Sequence, residues 1–466
     1  MKIPINILSR KIFADQITPI SAYLNIRALY PGSILLESSE MDDSRNGHSI
    51  ICANPIAGIT LTKNSLKTYS KSDHQAHAIT NDFRIQDELN KFFHSFQISN
   101  AFEGINGFFG FQSFEAAGYF ETKKAGLCQH IDETLDILNY RLFRYVICFN
   151  HFNHEIIFHE NLFEDEASTL EKFVPDILNK RSGLFPFRLT SEETSYITNE
   201  QFLQNVDKAR HHCQVGDVFQ MVLSRKYSYT YSGDELNVYR ALRHINPSPY
   251  MFFFDFGSYK LFGSSPEAQI RIHHQEASLN PIAGTFRRSG NKEEDAAISN
   301  LLLSDHKELA EHSMLVDLAR NDLNRHCRDV AVAAYRTIKQ YSHVIHLSSS
   351  VIGTLNPNTN SVEVMADTFP AGTLSGAPKI RAIQLLEEIE NDPRGYYGGS
   401  IGFIDFQGNI NQAIIIRSFF TRQNEIYMRA GAGIVLKSNP LNELQEIDNK
   451  LSALRQALTD AQKSML

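Results

Sequence analysis

Four glutamates on two predicted helices carry the most specific chemical pattern in the sequence. Glu308 and Glu311 lie three residues apart, behind a capping pattern that starts at Asp305, so they share one helix face. Glu443 and Glu446 repeat that spacing. Such oxygen ligands suit Mg²⁺, which keeps several waters and uses one or two direct carboxylates beside a substrate anion. Solvated helix surfaces give the same spacing, so the pattern alone leaves both interpretations open.

The helices that position these glutamates have clear start signals. The first is predicted over residues 305–321. The second begins at Asn439, a capping residue, with Pro440 in the first helical position. Its apolar residues recur every three or four positions, at Leu444, Ile447, Leu451, Leu454 and Leu458. Glu443, Glu446 and Lys450 lie beside this apolar stripe, on one face.

The remaining patterns indicate an α+β fold. Helices are predicted at residues 199–215 and near 234–245, and strands at 218–231, 250–256, 259–263, 269–273, 400–405 and 411–420. Hairpin-like strand pairs with interspersed helices favour mostly antiparallel sheets over a doubly wound fold. A polar segment at residues 179–198 marks a soft boundary, so we expect an N-terminal region, 1–185, and a catalytic region, 186–466.

Composition excludes several classes of protein. The 466 residues are 42% hydrophobic and 21% charged, with a formal net charge of −8, which rules out global disorder and argues against a nucleic-acid partner. No apolar run approaches the length of a membrane span, and the first residues do not resemble a signal peptide, so we expect a cytoplasmic protein without a membrane association. The five cysteines are scattered and fit reduced thiols.

Two glycine-rich segments are weak signals when taken alone. Residues 372–379 (GTLSGAPK) lack the Gly-Lys-Ser/Thr ending of a phosphate loop, and Pro378 removes an amide donor. Gly431-Ala432-Gly433 is too short for a dinucleotide fingerprint, although its small residues permit close approach to a small ligand.

Taken together and in order, the motifs resemble the chorismate-utilising enzymes, and most closely the large (component I) subunits of anthranilate synthase. The matching segments are GDVFQ (216–220), NPSPYMF (246–252), SPE (265–267), PIAGT (281–285), DHKELAEHSMLVDLARND (305–322), GTLSGAPK (372–379), GYYGG (395–399), RAGAGIV (429–435) and NK (449–450). The resemblance is dense from about residue 200 onward and thinner before it.

The resemblance implies two large, orthogonally packed, mostly antiparallel sheets flanked by helices, with chorismate and Mg²⁺ in a cleft. Glu311 and Glu446 match direct metal ligands, and Glu308 and Glu443 match partners that act through water. The positions that match substrate contacts are Gly284, Thr285, Thr373, Tyr397, Arg417, Gly431, Ala432, Gly433 and Lys450. The positions that match catalytic residues are Glu267, as general acid, His346 and Glu308.

Two further positions bear on the nucleophile. Relatives that form isochorismate carry a lysine where this chain has Gln220, and aminodeoxychorismate synthases carry a nucleophilic lysine where it has Ala283. Neither a carboxamide nor a methyl group is a base or nucleophile. The nucleophile should therefore be ammonia, supplied by a glutamine amidotransferase subunit (component II), in a complex that we expect to be a heterotetramer.

The implied reaction is the amination of chorismate at C2 followed by loss of pyruvate to give anthranilate, the first step of tryptophan biosynthesis. Two alternatives stay open: an enzyme that stops at aminodeoxyisochorismate, and a binding subunit without activity. The resemblance also implies feedback inhibition by L-tryptophan. The segments that match the tryptophan pocket contribute Glu37, Ser38, Pro249, Tyr250 and Met251.

Overall fold

The computed structural model describes residues 2–39, 47–71, 73–80, 83–121, 127–180, 182–340 and 344–463, without the side chains of Thr285, Arg287, Lys307 and Val344. Its helices are α1 Pro19–Arg27, α2 Ile85–Phe93, α3 Ala117–Phe120, α4 Leu170–Asn179, α5 Asn199–Gln214, α6 Leu236–Ile245, α7 Lys292–Ser304, α8 His306–Asn324, α9 Ser361–Thr368, α10 Lys379–Glu390 and α11 Pro440–Lys463. No helix in these residues is both long and apolar enough to cross a membrane.

The strands run through the whole chain. They are β1 Ile3–Phe13, β2 Ile34–Glu37, β3 His48–Leu61, β4 Ser65–Ser70, β5 Asp73–Ala78, β6 Phe96–Ile98, β7 Gly107–Gln112, β8 Leu138–Asn150, β9 Glu155–Phe163, β10 Phe187–Leu189, β11 Thr194–Ser195, β12 Gln220–Gly233, β13 Tyr250–Asp255, β14 Tyr259–Ser265, β15 Ala268–His273, β16 Glu276–Leu279, β17 Ile282–Arg287, β18 Cys327–Gln340, β19 Val344–Leu355, β20 Gly376–Ala377, β21 Ser400–Asp405, β22 Ile410–Ile414, β23 Ser418–Arg422 and β24 Glu425–Ile434.

Strand pairing confirms the predicted α+β class with mostly antiparallel sheets. Among the described residues, only the pairing of β1 with β6 is parallel. Strands from the two sides of residue 185 are direct neighbours, because β2 pairs with β13 and β7 pairs with β21. The N-terminal region therefore shares sheets with the catalytic region, and it contributes strands next to the elements that carry the candidate site.

The two carboxylate-bearing helices form as the sequence predicts. Asp305 accepts the backbone N–H of Glu308 at 3.1 Å, and α8 packs against β17, β18 and β19. Asn439 accepts the N–H of Leu441 at 3.0 Å, and α11 begins at Pro440. The stripe of α11 joins the core that it forms with β12 and β24, and its Ile447, Leu451, Leu454 and Leu458 are at most 1% exposed.

The prediction of one continuous strand at residues 411–420 is wrong. The apolar run at residues 411–420 divides into β22 and β23. Arg417, between them, has a φ of +48°, in the left-handed region that interrupts a strand. Ile415 instead exchanges backbone hydrogen bonds with the loop before β21, donating to Gly399 at 2.8 Å and accepting from Gly398 at 3.0 Å. This break places Arg417 at a sheet end, next to the candidate site.

Candidate active site

Glu267 lies in the short connection between β14 and β15 and is 8% exposed. Thr373 Oγ1 donates a hydrogen bond to Glu267 Oε1 at 3.2 Å. Burial raises the pKa of this carboxyl to about 8, against the opposing effects of the Thr373 hydrogen bond and the charges of Arg417 and Lys450. Glu267 is therefore largely protonated near neutral pH, as a general acid requires.

His346 is held as a neutral imidazole beside Gly284. The two lie on paired strands, β19 and β17, and His346 Nδ1 is 3.2 Å from the Gly284 carbonyl oxygen. Burial and the charge of Arg417 lower the pKa of His346 to about 4. Because a carbonyl only accepts, Nδ1 carries the proton and Nε2 is the acceptor nitrogen. Thr285 is the strand partner of His346, but its side chain lies outside the described residues.

The α8 carboxylates face two glycines of the site. A Cβ built on Gly284, which has a φ of +61°, would lie 3.1 Å from Glu308 Oε2. A Cβ on Gly433 would lie 3.6 Å from Glu311 Oε1, which also accepts a hydrogen bond from Gln220 Nε2 at 2.9 Å. At Gly284 the built Cβ would also lie 2.5 Å from Leu302 Cδ1, and at Gly433 it would lie 2.4 Å from Gln220 Nε2. A side chain at either glycine would therefore collide with the residues that surround the carboxylates.

The second helix, α11, approaches the segment Gly431–Gly433, called the glycine run below, at Gly431. Lys450 Nζ donates to the Gly431 carbonyl oxygen and to Glu446 Oε1, each at 2.7 Å. Glu443 is 3% exposed and lies one turn before Glu446. Helix α11 therefore contacts this segment through Lys450, and α8 reaches it through Gln220, which donates to Glu311 and lies beside Gly433.

The four helix glutamates fit a hard cation that retains water. Their ligand atoms are all carboxylate oxygens, and Glu308 and Glu311 lie beside Gly284 and Gly433, where a built Cβ would come within 3.1 and 3.6 Å of an oxygen of each. Within the described residues, no three His, Cys, Asp or Glu side chains lie close enough together to hold a metal ion. A Mg²⁺ site needs only one or two direct carboxylates. The magnesium assignment stays a prediction.

Tyr397 and Arg417 complete the group around the glycine run. Tyr397 is 4% exposed, and a Cβ on Gly431 would lie 2.9 Å from its hydroxyl oxygen. Burial lowers the pKa of the Arg417 guanidinium, and the charge of Glu267 partly offsets this effect. The guanidinium remains charged, because the pKa of an arginine is ordinarily far above neutral pH. A cation in such a setting favours a ligand carboxylate.

A buried ionic network, which no motif in the sequence predicted, holds the segment that carries Tyr397. Glu390 accepts hydrogen bonds from Arg394 at 2.8 Å, Arg429 at 3.3 Å and the backbone N–H of Ser224 at 2.7 Å. The network joins α10, β12 and β24. Arg394 and Glu390 are spaced i, i+4, which was the only signal available.

Glu115 anchors the same segment from the N-terminal region. Its carboxylate accepts the Gly395 N–H at 2.9 Å, while the Phe114 N–H donates to the Gly395 carbonyl at 2.9 Å. Burial raises the pKa of Glu115 to about 7. No sequence motif identifies this contact, since it joins residues 280 positions apart.

A second cavity, apart from the group around Gly431–Gly433, lies against the paired strands β2 and β13. Its volume is about 70 Å³, and it is lined by all five predicted regulatory residues, Glu37, Ser38, Pro249, Tyr250 and Met251, together with Arg271 and others. The Glu37 carboxylate accepts hydrogen bonds from Tyr239 Oη at 2.7 Å and Arg243 Nη1 at 2.9 Å. Arg271 donates to the Tyr250 hydroxyl and lies over its ring. The structure thus brings the two predicted segments together, and their ligand stays a prediction.

Comparison with known proteins decides the family. A model described as chorismate binding enzyme matches residues 33–456, which is most of the chain. The chain belongs to the chorismate-binding enzyme family. The family resemblance seen in the sequence is confirmed, and the motifs that carry it all fall within the matched residues.

Relatives within the chorismate-binding enzymes match over nearly their full length. Anthranilate synthase component 1 of Aquifex aeolicus is 35% identical over 481 residues, covering 98% of this chain and 95% of the relative. The protein of that name from Acetivibrio thermocellus is 34% identical, covering 97% and 95%. The similarity to large subunits of anthranilate synthase is therefore confirmed.

Solved structures agree. Anthranilate synthase component I from Streptococcus pneumoniae superimposes with a TM-score of 0.77 and 32% identity, over 95% of this chain and 99% of that one. The menaquinone-specific isochorismate synthase of Escherichia coli gives a TM-score of 0.76 over 98% and 95%, at 19% identity. The latter match shows the shared fold alone.

Proposed function

We propose that this chain is the large subunit of an anthranilate synthase, which aminates chorismate at C2 with ammonia and eliminates pyruvate to give anthranilate. The observation that carries the proposal is the buried carboxyl of Glu267, with its pKa raised to about 8 and Thr373 hydrogen-bonded to it. Full-length similarity to proteins named anthranilate synthase component 1 supports the choice of reaction.

Substrate binding is assigned to the group around the glycine run. The Arg417 guanidinium pairs with a carboxylate of chorismate, since its planar fork fits both oxygens. Tyr397 and the backbone of Gly431–Gly433 contact the ring from the other side, where glycine permits a close approach. Lys450, held by Gly431 and Glu446, keeps the middle of α11 against this surface.

Magnesium is assigned to the two helices. Glu311 and Glu446 would bind the ion directly, with Glu308 and Glu443 acting through water. When bound, Mg²⁺ would anchor the ring carboxylate and polarise it as a Lewis acid. Gln220 Nε2 orients Glu311 through its hydrogen bond of 2.9 Å to Oε1.

Two proton transfers are assigned to the chain's own residues. As ammonia forms its bond to C2 and the ring double bonds shift, the C4–O bond breaks and Glu267 donates its proton to the departing hydroxyl, which leaves as water. The ammonium group formed at C2 then loses a proton to solvent and becomes the amine. The neutral His346, with Nε2 as acceptor, then takes the C2 proton while the bond to the enolpyruvyl oxygen breaks. The leaving group departs as the enolate of pyruvate and takes a proton from solvent at its methylene carbon to become pyruvate. The electrons of the broken C2–H bond form the C2=C3 double bond, and the ring becomes aromatic.

The identity of the nucleophile rests on two side chains. Gln220 is hydrogen-bonded to Glu311 and cannot deprotonate water, and Ala283 offers no amine to the ring. Ammonia from outside the chain is the nucleophile that remains. Its source is a glutamine amidotransferase subunit, component II, in a heterotetramer. The cysteines support this division, because four are buried and Cys213 is half-buried, whereas a glutaminase nucleophile must reach its substrate.

The second cavity is proposed as the site of feedback inhibition by L-tryptophan. Pro249, Tyr250 and Met251 supply apolar and aromatic surface suited to an indole. Because Glu37 is engaged by Tyr239 and Arg243, the Ser38 hydroxyl and nearby carbonyl oxygens are assigned to the amino-acid head group.

The experiment is an assay of purified chain with chorismate, Mg²⁺ and an ammonium salt, followed by anthranilate fluorescence. Ammonia should support turnover, and glutamine should not until component II is added. A stable, non-fluorescent amino product would instead identify an aminodeoxyisochorismate synthase. Chorismate binding without turnover would identify a non-catalytic subunit.

A further inference from the structure

A small cavity adjoins Glu267 on the side of α8. Its volume is about 40 Å³, and its polar lining comes from Glu267, Gln269, Asn280, Asp322, Thr368 and Thr373. Apolar side chains of α8, including Leu315, Leu318 and Ala319, form the opposite wall. The volume fits one or two molecules of the size of water or ammonia and is too small for chorismate.

Gln269 lines this cavity and carries a buried hydrogen-bond acceptor. It is 2% exposed, and its Nε2 donates to Thr368 Oγ1 at 3.0 Å. The Thr368 hydroxyl hydrogen is used by backbone carbonyls of α9, those of Val364 at 2.9 Å and Met365 at 3.1 Å, so Thr368 can only accept from Gln269. Gln269 Oε1 therefore faces away from Thr368, and it has no hydrogen-bond partner among the residues that the structure describes.

The charges in the lining are balanced. Asp322 is paired with Lys379 Nζ at 2.9 Å, and Lys379 also donates to the Thr368 carbonyl at 3.1 Å. The Glu267 carboxyl is largely protonated near neutral pH, because burial raises its pKa to about 8. The remaining polar groups, Gln269, Asn280, Thr368 and Thr373, are neutral. Such a lining favours a neutral hydrogen-bond donor, because a bare cation would lose its hydration without gaining an unpaired anion.

We infer that this cavity is a subsite for ammonia in its neutral form, with Gln269 Oε1 accepting one of its N–H bonds beside Glu267. The inference rests on the proposed amination of chorismate and deepens it, since it gives the second substrate a place next to the general acid. The lone pair of ammonia stays available for attack because Gln269 uses only a hydrogen.

The test measures initial rates against the concentration of neutral ammonia, from ammonium chloride, with saturating chorismate and Mg²⁺. Gln269→Leu removes the acceptor, and Ala319→Val fills part of the cavity without touching Gln269. Each should raise the KM for ammonia about tenfold, the fold-change that corresponds to about 1.4 kcal/mol, while the KM for chorismate stays unchanged. Gln204→Leu, the same substitution on the exposed face of α5, should match the wild type.

Two outcomes would overturn the inference. One is an unchanged ammonia KM in both variants. The other is a loss of kcat at constant ammonia KM, which would mean that the cavity supports Glu267 alone. If Gln269→Leu does not fold, Gln269→Met takes its place, because methionine adapts to irregular cores. A wild-type chain that forms no anthranilate from ammonia is a different result, since it would overturn the proposed function and the inference with it.

Discussion

Tyr250, in the wall of the second cavity, is the antiparallel strand partner of Ser265, whose hydroxyl oxygen accepts the backbone N–H of Glu267 at 3.4 Å. The proposed regulatory pocket and the proposed general acid are thus joined by one strand pair. A displacement of β13 by a ligand in the pocket would reach Glu267 through β14 without crossing the core. This gives a physical basis for coupling the two sites.

The ionisation of Glu267 should set the basic limb of the pH–rate profile. As the carboxyl loses its proton above about pH 8, kcat/KM for chorismate should fall at constant neutral ammonia, because this ratio reports the free enzyme. Thr373→Val removes the hydrogen bond that stabilises the charged form, so its limb should move to higher pH. Glu267→Gln should lower the rate by about 10²- to 10⁴-fold, and its pH–rate profile should lack this basic limb. A limb that does not move in Thr373→Val would contradict the assignment.

The same carboxyl should make the stability of the protein depend on pH. Its folded pKa, about 8, lies above the ordinary value of 4.5, so the folded state binds the additional proton between these values. Its stabilisation is complete below about pH 4.5 and is lost as the pH rises to about 8. The free energy of unfolding of the wild type relative to Glu267→Gln should therefore fall across this range in urea titrations.

Glu115→Gln is a matched comparison for that experiment. Glu115 is a second buried carboxyl, with a pKa raised to about 7 by burial. The difference in free energy of unfolding between the wild type and Glu115→Gln should therefore stop changing at a lower pH than the difference for Glu267→Gln. A difference in stability that is independent of pH for either variant would show that the carboxyl ionises normally in the folded protein.

The magnesium assignment predicts an order among the four helix glutamates. Glu311→Gln and Glu446→Gln should abolish turnover at moderate Mg²⁺, whereas Glu308→Gln and Glu443→Gln, which would act through water, should weaken Mg²⁺ binding by about 10- to 100-fold. Mg²⁺ titrations of activity and of thermal stability measure both effects. Glu293→Gln, on the exposed start of α7, is the control. Equal Mg²⁺ dependence in all five variants would place the metal elsewhere.

The sequence predicted the elements that present the carboxylates because the signals for those elements are local. Caps at Asp305 and Asn439 and the apolar period of α11 are decided within a few residues. The break of β22 and β23 at Arg417 was not predictable from the apolar run, because it depends on hydrogen bonds from Ile415 to a loop that is distant in sequence.

Contacts between distant segments explain the features of the site that could not be predicted from the sequence. The hydrogen bond of Glu115 to Gly395 and the acceptor of Gln269 in the small cavity depend on which side chains the fold brings together. The raised pKa of Glu267 belongs to the same class, since desolvation is a property of the packed structure. The residue types were visible in the sequence, and their environments were not.

The last prediction is that Ser38→Phe relieves inhibition by L-tryptophan while leaving uninhibited turnover nearly unchanged. Ser38 lines the second cavity together with Tyr250 and Met251, and a phenyl ring there would occupy the space assigned to the ligand. An inhibitor must bind the inactive arrangement more tightly than the active one, by a coupling on the order of 1–3 kcal/mol, or about 5- to 150-fold in affinity. Tryptophan titrations at identical chorismate should therefore show the inhibition constant rising in Ser38→Phe. The control is Ser232→Phe at the exposed end of β12, which should keep wild-type sensitivity. Equal sensitivity in Ser38→Phe and the wild type would place the regulatory site outside this cavity, and a wild type that tryptophan does not inhibit would remove feedback regulation from the proposal.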